Sequence, residues 1–160
     1  MDLTRSSLGH FTANVLNTRG LYYVVFWILL LIQLCPIWFT AYPAMHDYPN
    51  HLARAHILSQ YNEIDSYRTI YERDWQIIPN LAVDIIIPAL LNIVSIETAS
   101  KIFLSLMVVL FNVGIHALGF AIDGRPRWTA LAATFFTYNF AVSYGFVNYV
   151  FGLGVFFLAR

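Results

Sequence analysis

Long runs without charged residues alternate with short polar stretches along this chain, and the runs predict transmembrane helices. Because the hydrocarbon core of a bilayer is about 30 Å thick, a helix needs about 20 mostly apolar residues to cross it. The runs predict spans at about 20–42, 76–96, 102–122 and 128–145, with a further half-span at 146–159. The predicted fold is an all-α polytopic transmembrane helix bundle of about four spans, in a single domain covering residues 1–160.

The arginines at the flanks of these runs bear on orientation. Arg5 and Arg19 precede the first run, which is long and has no small-residue cleavage site after it, so we predict an uncleaved signal anchor with a cytoplasmic N-terminus. Four simple crossings would place Arg125 and Arg127 outside, against the positive-inside rule. A re-entrant segment at 75–96, in place of a full span, would remove this conflict and stays open as the alternative.

The composition agrees with a bilayer as the solvent. Hydrophobic residues make up 59% of the 160 and charged residues 11%, whereas a soluble domain carries about 25% charged residues. Membrane lipids are therefore the first expected partners. Nine basic residues balance nine acidic ones, which leaves no positive excess for binding nucleic acid. The single cysteine, Cys35, excludes a disulfide within the chain.

The charges that are present concentrate in one predicted external loop at 46–74. Five of the nine acidic residues and three arginines lie there. Loops of this length are usually functional or disordered, and the Tyr, Ile and Leu content argues against disorder. Asp47 followed by Pro49 predicts a helix start, and residues 50–62 then form a short helix that we expect at the membrane surface.

Three polar side chains of this loop are spaced to share one face of that helix. Asp47, His51 and Arg54 are separated by four and then three positions. Such a carboxylate, imidazole and guanidinium can activate a hydroxyl group and hold a phosphate. The structural alternative is that Asp47 only caps the helix, Arg54 contacts lipid head groups and His51 is an ordinary interfacial histidine.

Polar residues inside the predicted spans are further candidates. An acid within a span is costly and usually faces the protein interior or water, so Asp84 is a candidate substrate-binding residue, with a position near the interface as the alternative. For His116, in the third span, we predict a packed, hydrogen-bonded side chain.

The histidines of the loop do not predict a metal site. His46, His51 and His56 recur every five residues, and that spacing turns about 140° per step on a helix, so the rings do not share a face. The sequence leaves open whether a divalent cation is needed as a cofactor.

This arrangement resembles the start of the GT-C-type polytopic membrane glycosyltransferases, in which a first span is followed by a long external loop with an acid near its start. The matching pieces are the first span, then HDYPNHLARAHIL, PNLAVDIIIPALL and IETASKIFLSL. The segment YNFAVSYGFVNYVFGLGVFFLA also resembles bacterial membrane proteins of this broad type. The resemblance implies residence in the bacterial inner (plasma) membrane.

The resemblance also implies roles for the loop residues. Asp47 would be the base for the acceptor hydroxyl, and Arg54 or His51 would contact the phosphate of a polyprenyl-phosphate sugar donor. Members of the family typically have many more spans, so the chain is expected to be an N-terminal part of such an enzyme. The alternative is a non-catalytic accessory subunit that packs against the subunits of a larger membrane complex.

Overall fold

The structure, a computed structural model, describes residues 3–76 and 80–160, with side chains from residue 18 onward. The side chain of Arg5 and residues 77–79 of the predicted second span lie outside this described part. The described residues form helices and no strand. In chain order the helices are α1 (Leu3–Phe39), α2 (Tyr48–Gln60), α3 (Asp65–Ile70), α4 (Ala82–Leu90), α5 (Ile96–Asp123), α6 (Trp128–Thr134), α7 (Phe140–Tyr144) and α8 (Val147–Leu158).

Two helices of the described chain are long and apolar enough to cross a membrane. They are residues 18–39 of α1 and the whole of α5, which has 28 residues; they correspond to the predicted first and third spans. The ends of α5 are defined by local chemistry. The Ser95 side chain accepts a hydrogen bond from the Thr98 N–H, and Gly124 ends the helix with φ +65°, a conformation that glycine adopts without strain.

The two long helices run antiparallel against each other. Where α1 has just ended, the Tyr42 hydroxyl donates to the Glu97 carboxylate in the first turn of α5, at 2.9 Å. At the start of the apolar part of α1, residues 18–39, the Tyr22 ring lies 5.9 Å from the His116 ring in the second half of α5. We call these two ends of the bundle the loop end and the far end. Residues 40–95 therefore leave from the loop end and return to it.

The region of the predicted second span differs from the expectation. Its helix, α4, has nine residues, about 13.5 Å at 1.5 Å per residue, which is well short of the hydrocarbon core. Asn80 just before it has φ +74°, which breaks helical geometry, and Pro88 lies within its last turn. The described residues of 76–96 thus contain no full-length span, and this segment does not carry the chain to the far end.

The predicted fourth span is interrupted. Residues 128–144 run from the far end, where the Trp128 ring lies 5.7 Å from that of Tyr22, to the loop end, where the Tyr144 carbonyl accepts from the Asp47 N–H at 3.0 Å. Helices α6 and α7 cover only parts of this path. Beside the break, the Thr137 hydroxyl lies 3.1 Å from the side-chain nitrogen of Asn112 in the middle of α5.

Helix α8, in the predicted half-span, packs closely along α5. Phe151 stacks on Phe103 with ring centroids 5.6 Å apart. Further along, two glycines allow the backbones to approach. A Cβ on Gly154 would lie 2.7 Å from the backbone of Leu110 and Phe111, and one on Gly114 would lie 2.7 Å from the Gly154 carbonyl oxygen. Small residues at such positions are a common device of membrane helix packing.

We expect Gly154→Ala to destabilise the protein by about 1–3 kcal/mol, because the added methyl group overlaps backbone atoms of α5 that cannot rotate away. Gly152→Ala is the matched control in the same helix, since a Cβ there meets nothing within 4 Å. Thermal unfolding in detergent measures both. Equal melting temperatures for the two variants would contradict the close α5–α8 packing.

Candidate functional site

Asp47 lies at the loop end, immediately before α2. It occupies the N-cap position, but its side chain makes no capping hydrogen bond to the helix backbone. Its carboxylate instead accepts from the Asn50 amide at 2.9 Å and lies 3.5 Å from Nε2 of His51. The Asp47 side chain is 40% exposed and that of His51 is 15% exposed. A carboxylate backed by an imidazole is therefore open to a ligand at this point.

The backbone at Asp47 is fixed by the end of α7 and by Gly145 just after it. The N–H groups of His46 and Asp47 donate to the carbonyls of Ser143 and Tyr144 at 3.1 and 3.0 Å. Gly145 follows with φ +101°, and a Cβ on it would lie 2.9–3.1 Å from atoms of Asp47 and Tyr48. The role of Gly145 in supporting the Asp47 loop depends on a contact between residues almost 100 positions apart.

Tyr48 anchors the first turn of α2 to α5. Its side chain is fully buried, with 1% of the residue exposed. The Ser100 hydroxyl donates to the Tyr48 hydroxyl at 3.0 Å. Burial raises the pKa of Tyr48 to about 12, so the phenol is neutral at physiological pH and keeps its proton for donation to the Ser100 carbonyl, 3.4 Å away. The residue next to Asp47 is thus held in the core.

Arg54 and Asp84 form a two-point ion pair between α2 and α4. Arg54 Nε donates to Oδ1 of Asp84 at 2.8 Å, and a terminal nitrogen of the guanidinium lies 2.8 Å from Oδ2 of Asp84. This fork geometry is the strongest form of an arginine–carboxylate contact. The Asp84 side chain is 9% exposed and that of Arg54 is 50% exposed. Asp84 therefore faces the protein interior, the first of the two positions considered from the sequence.

The three loop residues predicted to meet do not form one group. Asp47 contacts His51, whereas Arg54 is turned to Asp84, about 10 Å further along the axis of α2. The spacing predicted that Arg54 lies in this helix. Local spacing cannot show that a carboxylate from α4 pairs with it. A nearly buried acid gains more from a guanidinium than the half-exposed Asp47 does.

A cavity of about 420 Å³, which we call the loop-end cavity, opens between α2, residues 71–76 and α4. The Arg54–Asp84 pair lines it, together with the aromatic rings of Tyr61, Tyr71 and Trp75. The remaining polar lining comes from Glu72, Arg73, Asp74 and Gln76. Sequence reasoning did not single out these residues. The dense run YERDW was the available signal, because five bulky or charged residues in a row are unusual in this apolar chain.

The histidines take part in packing contacts. The His46 ring lies 5.1 Å from that of Tyr144, and His56 lies 6.3 Å from Tyr67. At the far end, His116 packs 4.3 Å from Phe26 with its Nδ1 2.8 Å from the Asn112 carbonyl oxygen. Among the described residues, no three or more His, Cys, Asp and Glu side chains are grouped so that they could hold a metal ion.

Comparisons with protein-family models, with curated proteins and with solved structures find no match for this chain.

We expect Arg54→Gln to destabilise the protein by about 2 kcal/mol, because it leaves the nearly buried Asp84 carboxylate without its charged partner. Arg68→Gln is the control, since Arg68 pairs with the exposed Asp65 within α3, and such pairs contribute about 0–1 kcal/mol. Chemical unfolding in detergent measures both variants. A loss for Arg54→Gln no larger than that for Arg68→Gln would contradict a structural role of the ion pair.

Proposed function

We propose that the chain is a membrane-embedded module of GT-C type, which transfers a sugar from a polyprenyl-phosphate donor to an acceptor hydroxyl at the loop end. The observation that carries this proposal is the half-exposed Asp47 carboxylate. It lies next to His51, is fixed by backbone contacts and immediately precedes α2, the helix that forms one wall of the loop-end cavity. A carboxylate that only stabilised the fold would be expected to cap its helix or to be paired with a cation and buried.

The topology supports an extracytoplasmic site. Because α1 and α5 are antiparallel, Arg19 shares the far end with Arg125 and Arg127. Arg19 lies at the start of the apolar part of α1, residues 18–39, and the other two arginines follow α5. The positive-inside rule assigns that end to the cytoplasm, which gives a cytoplasmic N-terminus and an external loop end in a bacterial inner membrane. In this topology α1, α5 and the interrupted segment 128–144 cross the membrane, α8 enters it, and α4 is re-entrant.

In the proposed reaction, Asp47 accepts the proton of the acceptor hydroxyl while the acceptor oxygen forms a bond to the anomeric carbon. The bond between that carbon and the phosphate oxygen breaks, and the lipid phosphate leaves with its electron pair. His51 positions the carboxylate. Arg54 already uses two nitrogens on Asp84, so only its third guanidinium nitrogen is available to the donor phosphate.

We expect Asp47→Asn to lower the transfer rate at least about 100-fold, because general-base catalysis typically contributes a factor of about 100–10,000. Asp65→Asn is the control, an exposed acid of the same loop that pairs with Arg68 in α3. Sugar transfer from a polyprenyl-phosphate donor in proteoliposomes measures both variants. Wild-type transfer by an inserted, folded Asp47→Asn protein would remove Asp47 from the catalytic role.

A second candidate function is a non-catalytic accessory subunit of a larger membrane complex. The break between α6 and α7 favours it, because Phe135, Phe136 and Phe140 are 69–76% exposed there. Irregular backbone at membrane depth is stable only where other protein covers it or where it lines water. Copurification with larger subunits in fixed stoichiometry, without transfer activity, would favour this function over the enzyme.

A further inference from the structure

The loop-end cavity offers aromatic surface to a ligand. Trp75 is 54% exposed and Tyr71 46% exposed, and Tyr61 completes this set of lining rings. The Tyr61 hydroxyl is engaged with the Tyr71 carbonyl at 3.0 Å, which ties the wall formed by α2 to the segment 71–76. Exposed aromatic rings beside polar groups suit a ligand that has both apolar and polar faces.

The cavity is lined by more acidic than basic side chains. Glu72, Asp74 and Asp84 contribute three carboxylates, against the guanidinium groups of Arg54 and Arg73. The Arg54–Asp84 pair is neutral as a unit. Arg73 lies over the Tyr61 ring, 4.8 Å from its centroid, and so one cation faces two unpaired acids. Like charges repel, and the cavity therefore disfavours an anionic group beside Glu72 and Asp74.

The polar groups can instead serve an uncharged ligand rich in hydroxyls. The Glu72 carboxylate can accept hydrogen bonds from it, and the guanidinium of Arg73 can donate them. The Asp74 carboxylate keeps further acceptor sites beside the hydrogen bond that it accepts from the Gln76 amide at 2.5 Å. At about 420 Å³ the cavity falls within the range of small-molecule sites. Aromatic faces combined with carboxylate acceptors match a sugar ring, which has C–H faces and a rim of hydroxyl groups.

We infer that the loop-end cavity binds an uncharged sugar ring and discriminates against sugars that carry a carboxylate. The inference rests on the proposed function for the choice of a sugar as ligand. Its specificity follows from Trp75 and Tyr71 as the stacking surface and from Glu72 and Asp74 as the groups that repel an anion.

The test measures binding of monosaccharides to the full chain in detergent micelles by saturation-transfer NMR. The probes are glucose and N-acetylglucosamine as uncharged sugars and glucuronic acid as the matched anion, all at millimolar concentration. We expect at least one uncharged sugar to bind more tightly than glucuronic acid. Absence of binding by both uncharged probes, or tighter binding of glucuronic acid, would overturn the inference.

Two variants locate the binding. Trp75→Ala is expected to weaken binding of the uncharged sugar about tenfold, because the stacking surface is lost. Trp27→Ala is the control, since Trp27 is also 54% exposed but lies in α1, away from this cavity. The double variant Glu72→Gln/Asp74→Asn is expected to tighten glucuronic acid binding about fivefold. Equal effects of the two tryptophan variants, or unchanged glucuronic acid binding, would contradict the assignment.

Two outcomes separate this inference from the catalytic proposal, because Asp47 does not line the cavity. Binding of an uncharged sugar by a wild-type chain that has no transfer activity would support the sugar site and refute catalysis. Transfer activity in a chain that binds neither uncharged sugar would refute the sugar site and support catalysis.

Discussion

The antiparallel contact between α1 and α5 is the constraint on which the rest of the structure depends. Trp38 Nε1 donates to the Ser105 hydroxyl at 3.1 Å and the Tyr42 hydroxyl donates to the Glu97 carboxylate. The last turn of α1 and the residues just after it are thus tied to the first three turns of α5. Residues 40–95, which connect the two helices, must then return to the loop end from which they left. The polar loop, helices α2 to α4 and the nearly buried Asp84 are gathered at that end as a consequence.

At the loop end, long-range contacts determine which polar groups are available to a ligand. Asp84 forms an ion pair with Arg54 and thereby joins α4 to α2. Gly145 allows the chain before α8 to lie against the backbone at Asp47, and Asn148 at the start of α8 accepts from the Val83 N–H at 2.9 Å. The C-terminal part of the chain thus supports both the exposed carboxylate and the cavity wall, although it contributes no charged group there.

The sequence predicted those features that depend on local patterns. Apolar runs identified α1 and α5, and Asp47 with Pro49 located the start of α2 to within two residues of its observed position. The full span at 76–96 was expected because hydropathy records apolarity but not whether a helix is interrupted. The partner of Arg54 and the role of Gly145 could not be predicted, because each depends on contact between residues far apart in the chain.

Side-specific cysteine labelling in intact cells tests the return of the chain to the loop end most directly. In a Cys35→Ser background, single cysteines replace Ser66 in α3 and Asn92 between α4 and α5, both exposed. The account predicts that an impermeant reagent labels both positions from the same side of the membrane, and that a cysteine at Arg125 is labelled only from the other side. Labelling of positions 66 and 92 from opposite sides would contradict it.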